Sequence, residues 1–380
     1  HLIATSGEIH TGVFKQQPKA ITEQIDGWRK IAPGATFAIA IEATKGALIN
    51  ALLEFEDVQI YPVNPAALAN YRKAFAHGGG KNDPVDAQLL AQFIAHYRDH
   101  LRPLTPNSEL TRKIATIAED RRRLVDQRAD LANELTALLK RYFPAALELK
   151  PTRTYAEFFL KFLKKYPSLS KAQALGVSRL RNFFHGMGMK AKADDYAKTL
   201  SAAVPLTNDA TTIDTSVMRV EAVIEQLQTL NKHIKRYESQ LKQLLPQHDD
   251  YAIVKSLPGA AINMQARMIA ALGDDRSRFP DAASLQAASG IAPFTTQSGR
   301  QRFVNARWAC TKFMKQTFHE FAGQSIFRSR WAKAFYELHK SKGKSAQMSV
   351  RDLAYKWQRI IYRMWQTGET YDEQRYIDRL

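Results

Sequence analysis

One stretch decides the fold of the N-terminal region: Thr36-Phe37-Ala38-Ile39-Ala40-Ile41-Glu42. Its first six residues are almost continuously apolar, which is typical of a strand buried on both faces. A helical pattern at Leu48, Leu52 and Leu53 follows, and residues 58–63 form a second candidate for a buried strand. A strand, a helix and a strand within about thirty residues predict a βαβ unit with a right-handed crossover.

The residues around this unit extend it to an α/β domain. Residues 2–5 and 8–14 look like two short strands joined across Ser6-Gly7. After Pro106 helical periodicity takes over. The sequence therefore predicts an α/β domain over residues 1–103, followed by helical regions.

Two long amphipathic helices are predicted within residues 104–250. Apolar residues recur every three or four positions at Leu110, Ile114, Ile117, Leu124, Leu131, Leu135 and Leu138, and again at Val217, Val220, Ile224, Leu227, Ile234, Leu241 and Leu245. This heptad-like spacing is typical of a coiled-coil pair or a dimerisation arm. Two helices that pack on each other within one chain have the same pattern, so both interpretations stay open.

A basic and aromatic insertion, over residues 151–210, separates the two helices. Its aromatic residues include Phe158, Phe159, Phe162, Phe183 and Phe184. Aromatic rings at this spacing form a core more often than a stacking platform for bases. We therefore expect a small helical core here.

Residues 251–380 are predicted to form a third, helical domain. A Pro258-Gly259 turn precedes a helix that stops at Gly273, and such a turn can direct backbone N–H groups at a phosphate. From Arg300 to Arg363, lysines and arginines far outnumber the three carboxylates, and aromatic residues lie between them. A solvated helical face would mix both signs, so this imbalance favours contact with phosphates.

The charge balance of the whole chain also indicates a nucleic-acid partner. The chain has 380 residues, and 55 Lys and Arg against 37 Asp and Glu leave a net charge of +18. No apolar stretch approaches the roughly 20 residues of a membrane span. An excess of positive charge without a membrane anchor points first to nucleic acid. Cys310 is the only cysteine, which excludes an intramolecular disulfide and a zinc site built on thiolates.

Three carboxylates are the candidates for metal chemistry. Glu42 follows a buried strand, and Asp83 and Asp86 lie three residues apart at the predicted start of a helix. Phosphodiester chemistry commonly uses two divalent ions about 4 Å apart, held by hard oxygen ligands from separate elements. Helix capping alone, with Asp83 as the N-cap and Pro84 as the first helical residue, also explains the acid pair.

The candidate nucleophile is Ser298, which precedes Gly299 and a basic run. Arg300 and Arg302 could neutralise an attacked phosphate, although Ser-Gly before a basic run is also a common turn. Spacing alone does not assign the serine. The residues expected to contact nucleic acid are Lys81, Arg121, Arg122, Arg123, Arg300, Arg302, Arg307, Lys312 and Lys315.

These motifs, in this order, resemble those of the DEDD-type insertion-sequence transposases, which include the Piv-like and MooV-like DNA invertases. The N-terminal half carries Ile41-Glu42-Ala43-Thr44-Lys45-Gly46, Val63-Asn64-Pro65 and Lys81-Asn82-Asp83-Pro84-Val85-Asp86-Ala87. The C-terminal half carries Leu257-Pro258-Gly259, Leu272-Gly273-Asp274, Phe279, Gly290-Ile291-Ala292-Pro293 and Gln297-Ser298-Gly299. The resemblance covers nearly the whole chain.

The resemblance implies a fold and a reaction. It implies a RuvC-like, ribonuclease-H-type domain whose four acids bind one or two Mg²⁺ ions, and a helical C-terminal transposase domain with a serine nucleophile. Glu42, Asp83 and Asp86 match three of the acids, and Ser298 matches the serine. The first aspartate has no match, and we expect its strand to precede His1.

The resemblance also implies partners. Members of the family are recombinases that a structured bridge RNA guides to donor and target DNA, so that base pairing selects the sequence. It implies a homodimer or homotetramer, in which the acids and the serine meet across subunits, and a cytoplasmic, nucleoid-associated bacterial protein without membrane contact.

Three hypotheses follow. The first is a Mg²⁺-dependent DNA transposase or recombinase that uses Ser298 as its nucleophile. The second is a RuvC-like, structure-selective nuclease whose carboxylates act without the serine. The third is a non-catalytic nucleic-acid-binding protein, in which the acids only cap a helix. The residues alone support a nucleic-acid binder with metal-nuclease potential, and the resemblance favours the first hypothesis.

Overall fold

The computed structural model describes residues 1–42, 46–75, 82–149 and 151–377. The chain divides into two compact units, His1–Pro106 and Asn107–Leu380. The first is mixed α/β, and the second is helical except for one hairpin. The boundary after Pro106 lies close to the predicted end of the α/β domain. A further division near residue 250 stays a prediction.

The first unit contains the predicted strand–helix–strand arrangement. Its elements are β1 (Leu2–Ile3), β2 (Ile9–His10), α1 (Pro18–Ile31), β3 (Phe37–Ile41), α2 (Ala47–Leu52), β4 (Val58–Pro62), α3 (Pro65–Phe75) and α4 (Asp83–Tyr97). Strands β3 and β4 are parallel, from Phe37 opposite Val58 to Ile41 opposite Pro62. Strands β1 and β2 form a separate antiparallel pair, as the sequence predicts.

Strand β3 is covered on both faces. Phe37, Ile39 and Ile41 pack into a core with residues of α1 and α2. Ala40, on the opposite face, joins a smaller core with residues of α3 and α4. This two-sided burial explains why the strand sequence is continuously apolar instead of alternating.

The second unit is built around two long helices. Its elements are α5 (Glu109–Tyr142), α6 (Ala145–Glu148), α7 (Glu157–Lys165), α8 (Leu169–Gln173), α9 (Val177–Gly186), α10 (Ala193–Ala202), α11 (Ala210–Leu244), α12 (Tyr251–Ser256), α13 (Ile262–Leu272), α14 (Ala282–Ala288), β5 (Phe294–Ser298), β6 (Gln301–Asn305), α15 (Lys312–Ser325), α16 (Arg330–Ser341), α17 (Ala346–Thr367) and α18 (Gln374–Ile377). Helices α5 and α11 pack along each other within the chain. The heptad-like pattern left open a dimerisation arm or two helices packed within one chain, and the structure shows the two helices packed within the chain.

The α5–α11 pair is antiparallel and passes through two hydrophobic cores. Its Ile114 and Leu241 belong to the core of the C-terminal helices, whereas Leu135 and Val220 belong to the core of the insertion. Polar side chains fill the seam between the two cores, where Arg128 donates to Asn231 Oδ1 over 3.1 Å. The residues that interrupt the apolar stripe therefore mark the boundary between the cores.

The insertion is a helical core, as its aromatic spacing predicts. Phe159, Phe162 and Phe184 are completely buried, and the rings of Phe162 and Phe184 lie 5.4 Å apart. These rings pack on each other inside the core. They are not available as stacking platforms for bases.

The two longest helices are long enough to cross a bilayer, which needs roughly 20 residues. Both α5 and α11 carry charged side chains along their length. In the part of the chain that the structure describes, no helix combines sufficient length with sufficient apolar character to span a membrane.

Candidate active site and nucleic-acid interface

Glu42 lies directly after β3, at the carboxyl edge of the parallel pair, and is exposed. Ala40, two residues before it, packs in the same small core as Val85, which directly precedes Asp86 on α4. Ala40 and the start of α4 therefore lie on the same side of the sheet, and Glu42 directly follows the strand that carries Ala40.

Asp83 and Asp86 lie in the first turn of α4, as predicted, but the helix begins one residue earlier than the capping hypothesis assumes. Asn82 is the N-cap, and its Oδ1 accepts from Val85 N over 2.9 Å. The prediction that Asp83 caps the helix is therefore wrong. Asn and Asp are about equally good N-cap residues, because the side-chain oxygen of either accepts a hydrogen bond from a free N–H group in the first turn of the helix. Asp83 is left exposed.

Asp86 has a partner that the sequence analysis missed. Its carboxylate forms an ion pair with Arg72 on α3, and both side chains are less than one-fifth exposed. No spacing rule links these two residues, because the contact depends on how α3 packs against α4.

The three carboxylates are suitable ligands for a divalent ion, but the structure does not show them clustered around a common site. They offer hard oxygen donors, the kind Mg²⁺ prefers. Among the residues that the structure describes, however, no three or more His, Cys, Asp or Glu side chains are grouped closely enough to hold a metal ion. The metal-ligand role of Glu42, Asp83 and Asp86 stays a prediction.

Ser298 is the last residue of β5, at the tip of an antiparallel hairpin. It pairs with Gln301 across a turn that contains Gly299 and Arg300. Gly299 has φ +57°, a conformation that suits a residue without Cβ. Ser298 is exposed, and its hydroxyl makes no hydrogen bond to any residue that the structure describes. The hydroxyl is therefore accessible to an incoming phosphate.

The hairpin and the start of α15 form a surface of uncompensated positive charge. Residues 282–319 contain no Asp or Glu. Its five predicted nucleic-acid contacts form no ion pair with a carboxylate in the described part of the chain: Arg300, Arg302, Arg307, Lys312 and Lys315. A cation without a carboxylate partner is free to bind a phosphate, and we call this surface the cationic hairpin face (residues 294–315).

The three arginines predicted on α5 are engaged elsewhere. Arg121 binds Glu238 on α11, and Arg122 binds Asp126 and Glu320. Arg123 pairs with Asp120 at 2.9 Å, although its side chain is 73% exposed. Carboxylates of the same chain therefore already pair with all three arginines, and their contact with nucleic acid stays a prediction. Lys81 lies outside the described residues.

Two of the N–H groups that follow the Pro258-Gly259 turn are bonded within it, and phosphate binding by the start of α13 stays a prediction. Ala260 N donates to Leu257 O over 3.2 Å, and Ala261 N donates to Gly259 O over 3.1 Å. A Cβ at Gly259 would come within 3.4 Å of Gln324 O. The glycine is therefore needed for close packing, and the two amides are satisfied inside the turn.

Two protein-family models match parts of this chain. A family model for DEDD transposases of the IS110 type, described as "Transposase", matches residues 3–144. A second, described as "Transposase IS116/IS110/IS902 family", matches residues 251–337. Together they span more than half of the chain and include Glu42, Asp83, Asp86 and Ser298.

Individual relatives extend the likeness over nearly the full length. The "Mini-circle putative transposase for IS117" of Streptomyces coelicolor is 28% identical, over 93% of this chain and 89% of that protein. The insertion element IS900 42 kDa protein of Mycobacterium paratuberculosis is 23% identical, over 91% and 86%. The insertion element IS116 44.8 kDa protein of Streptomyces clavuligerus is 27% identical, over 70% and 65%.

Proposed function

Because the chain belongs to the IS110/IS116 family of insertion-sequence transposases, we propose that it cuts and rejoins DNA strands with Ser298 as its nucleophile. The observation that carries this proposal is the placement of an exposed serine at the tip of a hairpin, inside the cationic hairpin face. DNA would approach this face because its phosphates complement the unpaired arginines.

The chemistry at Ser298 is a transesterification. The serine Oγ attacks a DNA phosphorus and forms a new P–O bond, while the bond to one strand's oxygen breaks and that oxygen leaves as a hydroxyl. The proton of the serine passes to the leaving oxygen through solvent. Arg300, in the turn directly after Ser298, would stabilise the charge that develops on the phosphate, whereas Arg302 pairs with Gln297 on the opposite face of the hairpin. A hydroxyl of another strand then reverses the step, releases Ser298 and joins the strands without an external energy source.

The first unit would contribute a RuvC-like metal site. Glu42, Asp83 and Asp86 would hold Mg²⁺, which supplies charge stabilisation at phosphate oxygens when bound. The parallel β3–β4 pair, with Glu42 at its carboxyl edge and an acid pair at the start of α4, supports this part of the proposal. Asp86 would have to release Arg72 to bind the ion.

A guide RNA and a second subunit complete the proposal. The chain carries a charge of +18, and residue patterns that read base edges are not evident in it. Sequence choice by base pairing between a structured RNA and donor or target DNA accounts for both facts. We propose a cytoplasmic homodimer or homotetramer as the active assembly, since strand exchange joins two DNA molecules.

The test is the covalent adduct. The protein is purified, the RNA that copurifies is sequenced, and DNA duplexes that match it are incubated with the protein and Mg²⁺. Ser298→Ala should abolish the protein–DNA adduct and leave DNA binding intact. Thr295→Ala, on the same strand and also exposed, is the matched control and should keep the adduct. An undiminished adduct in the serine variant would refute the assignment.

A metal-dependent nuclease without serine chemistry is the second candidate. The free hydroxyl of Ser298, for which no described residue acts as a general base, favours it. It predicts Mg²⁺-dependent nicking that survives Ser298→Ala and is lost in Asp83→Asn. If the wild-type protein neither nicks nor joins DNA in the presence of Mg²⁺, only nucleic-acid binding remains.

A further inference from the structure

The β5–β6 hairpin is exposed on both of its faces. Residues 293–304 are all exposed, and the side chains of Phe303 and Val304 reach 58% and 65% exposure. An isolated two-stranded hairpin is only marginally stable, and an antiparallel sheet usually packs at least one face on a core. Large apolar side chains at such a position indicate a surface that a partner covers.

The strand register places Phe303 beside Ser298. Phe303 pairs with Thr296, and Ser298 pairs with Gln301. Side chains two positions apart along a strand share a face, so Phe303 and Ser298 lie on the same one, whereas Val304 lies on the other. Diagonal neighbours in an antiparallel pair are about 7–8 Å apart. One nucleotide could therefore place its phosphate at the hydroxyl and its base against the ring.

Charge selects nucleic acid as the occupant of this face. Arg300 lies in the turn directly after Ser298, Arg302 pairs with Gln297 on the opposite face, and the stretch 282–319 around the hairpin has no carboxylate. A second copy of the same face would bring like charges together, which opposes docking. A DNA strand brings phosphates of the complementary sign and bases whose flat faces stack on aromatic rings.

We propose that Phe303 stacks on an unpaired nucleobase of the DNA strand, next to the phosphate that Ser298 attacks. The inference rests on the proposed role of Ser298 for the identity of that phosphate. Strand exchange separates paired strands at the break, so a base beside the break loses its partner and part of its stacking. The ring of Phe303 replaces that contact and holds the strand in position. Phe303 is thus a positioning residue that contacts the substrate base.

The experiment compares two probes on the full-length protein. One is a fluorescent oligothymidine, and the other is an oligonucleotide of the same length with abasic sites in place of bases. Phe303→Leu should weaken oligothymidine binding by about five- to 150-fold, the range for loss of one base–aromatic stack, and leave binding of the abasic probe unchanged. Phe303→Tyr should restore the affinity. Val304→Ala, on the opposite face of the same strand, is the matched control and should bind both probes as the wild type does.

Other outcomes overturn the inference. Equal affinity of Phe303→Leu and wild type for oligothymidine would do so, and so would an equal loss for both probes. A changed oligomeric state in light scattering with unchanged oligothymidine binding would assign the face to a second copy of the chain instead. Since Phe303 is mostly exposed, the thermal unfolding midpoint of Phe303→Leu should equal that of the wild type. Circular dichroism measures both midpoints.

The two proposals fail separately. The binding readout does not involve the hydroxyl, so Ser298→Ala should bind oligothymidine as the wild type does. If Ser298→Ala keeps the covalent adduct while Phe303→Leu loses base-dependent binding, the proposed nucleophile is wrong and the stacking stands. If Ser298→Ala loses the adduct while Phe303→Leu binds normally, the stacking is wrong and the nucleophile stands.

Discussion

The guanidinium of Arg72 on α3 binds the carboxylate of Asp86 on α4, and neither side chain is more than one-fifth exposed. A carboxylate predicted to hold a metal ion therefore already has a cationic partner. An arginine and a divalent ion would compete for the same oxygens, so metal binding by Asp86 would require the ion to displace Arg72.

Removing this competitor should strengthen metal binding. Arg72→Gln takes away a positive charge beside Asp86, and at partial burial such a charge is worth more than the roughly 1.4 kcal/mol that corresponds to a tenfold change. We expect Mn²⁺ affinity, followed by electron paramagnetic resonance, to rise by at least about tenfold. Arg29→Gln is the control, because Arg29 pairs with Asp57 and Asp26. Unchanged affinity in the Arg72 variant would show that Asp86 is not a ligand.

The salt dependence of DNA binding should distinguish paired from unpaired arginines. The logarithm of the binding constant falls linearly with the logarithm of the salt concentration, and each lost phosphate contact makes that negative slope shallower by about 0.9 for duplex DNA. Arg302→Gln should produce this change, because Arg302 lies on the cationic hairpin face. Arg123→Gln should not, because Asp120 already neutralises Arg123. Fluorescence anisotropy titrations over a range of salt concentrations measure both slopes. An equal change in the two variants would make Arg123 a phosphate contact after all.

Gly290 should not tolerate a side chain. It has φ +70°, and a Cβ there would overlap both Sγ and Cβ of Cys310. Gly290→Ala should cost about 2–5 kcal/mol of unfolding free energy, the sum of backbone strain and overpacking. Urea denaturation measures the loss.

Gly323→Ala is the matched control for this prediction. Its Cβ would lie 3.9 Å from Val350, an ordinary contact, and Gly323 sits inside α15. Alanine in a helix interior is favoured over glycine by up to about 1 kcal/mol. The control should therefore be neutral or stabilising. A comparable loss in both variants would show that the contact with Cys310 is not the cause.

Asp274 should make the second unit sensitive to acid. Burial alone would raise the pKa of this carboxyl, but hydrogen bonds from Thr111 Oγ1, over 2.5 Å, and from Ser108 N, over 2.6 Å, hold it below its usual value. A lowered pKa in the folded state stabilises the protein above the unfolded value, near 4, and this contribution disappears as the pH falls through the folded pKa.

Asp274→Asn tests that dependence. The variant should lose about 1.5–3 kcal/mol at neutral pH, the contribution of hydrogen bonds to a charged group, and the difference from wild type should shrink below about pH 4. Urea denaturation at several pH values measures it. Asp249→Asn, at an exposed site, should change stability by less than about 0.5 kcal/mol. A difference that is constant with pH would contradict the role of the charge.

Most of the fold was predictable from local patterns. The parallel β3–β4 pair, the intervening helix α2 and the two long helices all agree with the periodicity of their apolar residues. The insertion core follows from its aromatic spacing. The sequence predicted Asp83 as the N-cap of α4, whereas Asn82 holds that position. Both are good capping residues, and only the backbone conformation at the start of the helix decides between them.

The candidate site was predictable in its residue types but not in its charge pairing. Contact with nucleic acid was expected at nine cationic positions. The structure instead divides the described ones between the cationic hairpin face and the arginines of α5, which bind Glu238, Glu320, Asp126 and Asp120. Glu238 and Glu320 are far from α5 in sequence, so helix packing alone brings them into contact.

The sequence by itself determined the secondary structure, the excess of positive charge and the chemical candidates, because apolar periodicity and residue type are local properties of the chain. Tertiary packing decided that Glu238 and Glu320 neutralise arginines of α5 and that Asp86 pairs with Arg72. Those outcomes depend on distances between segments that are remote along the chain, and such distances exist only once the helices and strands have packed.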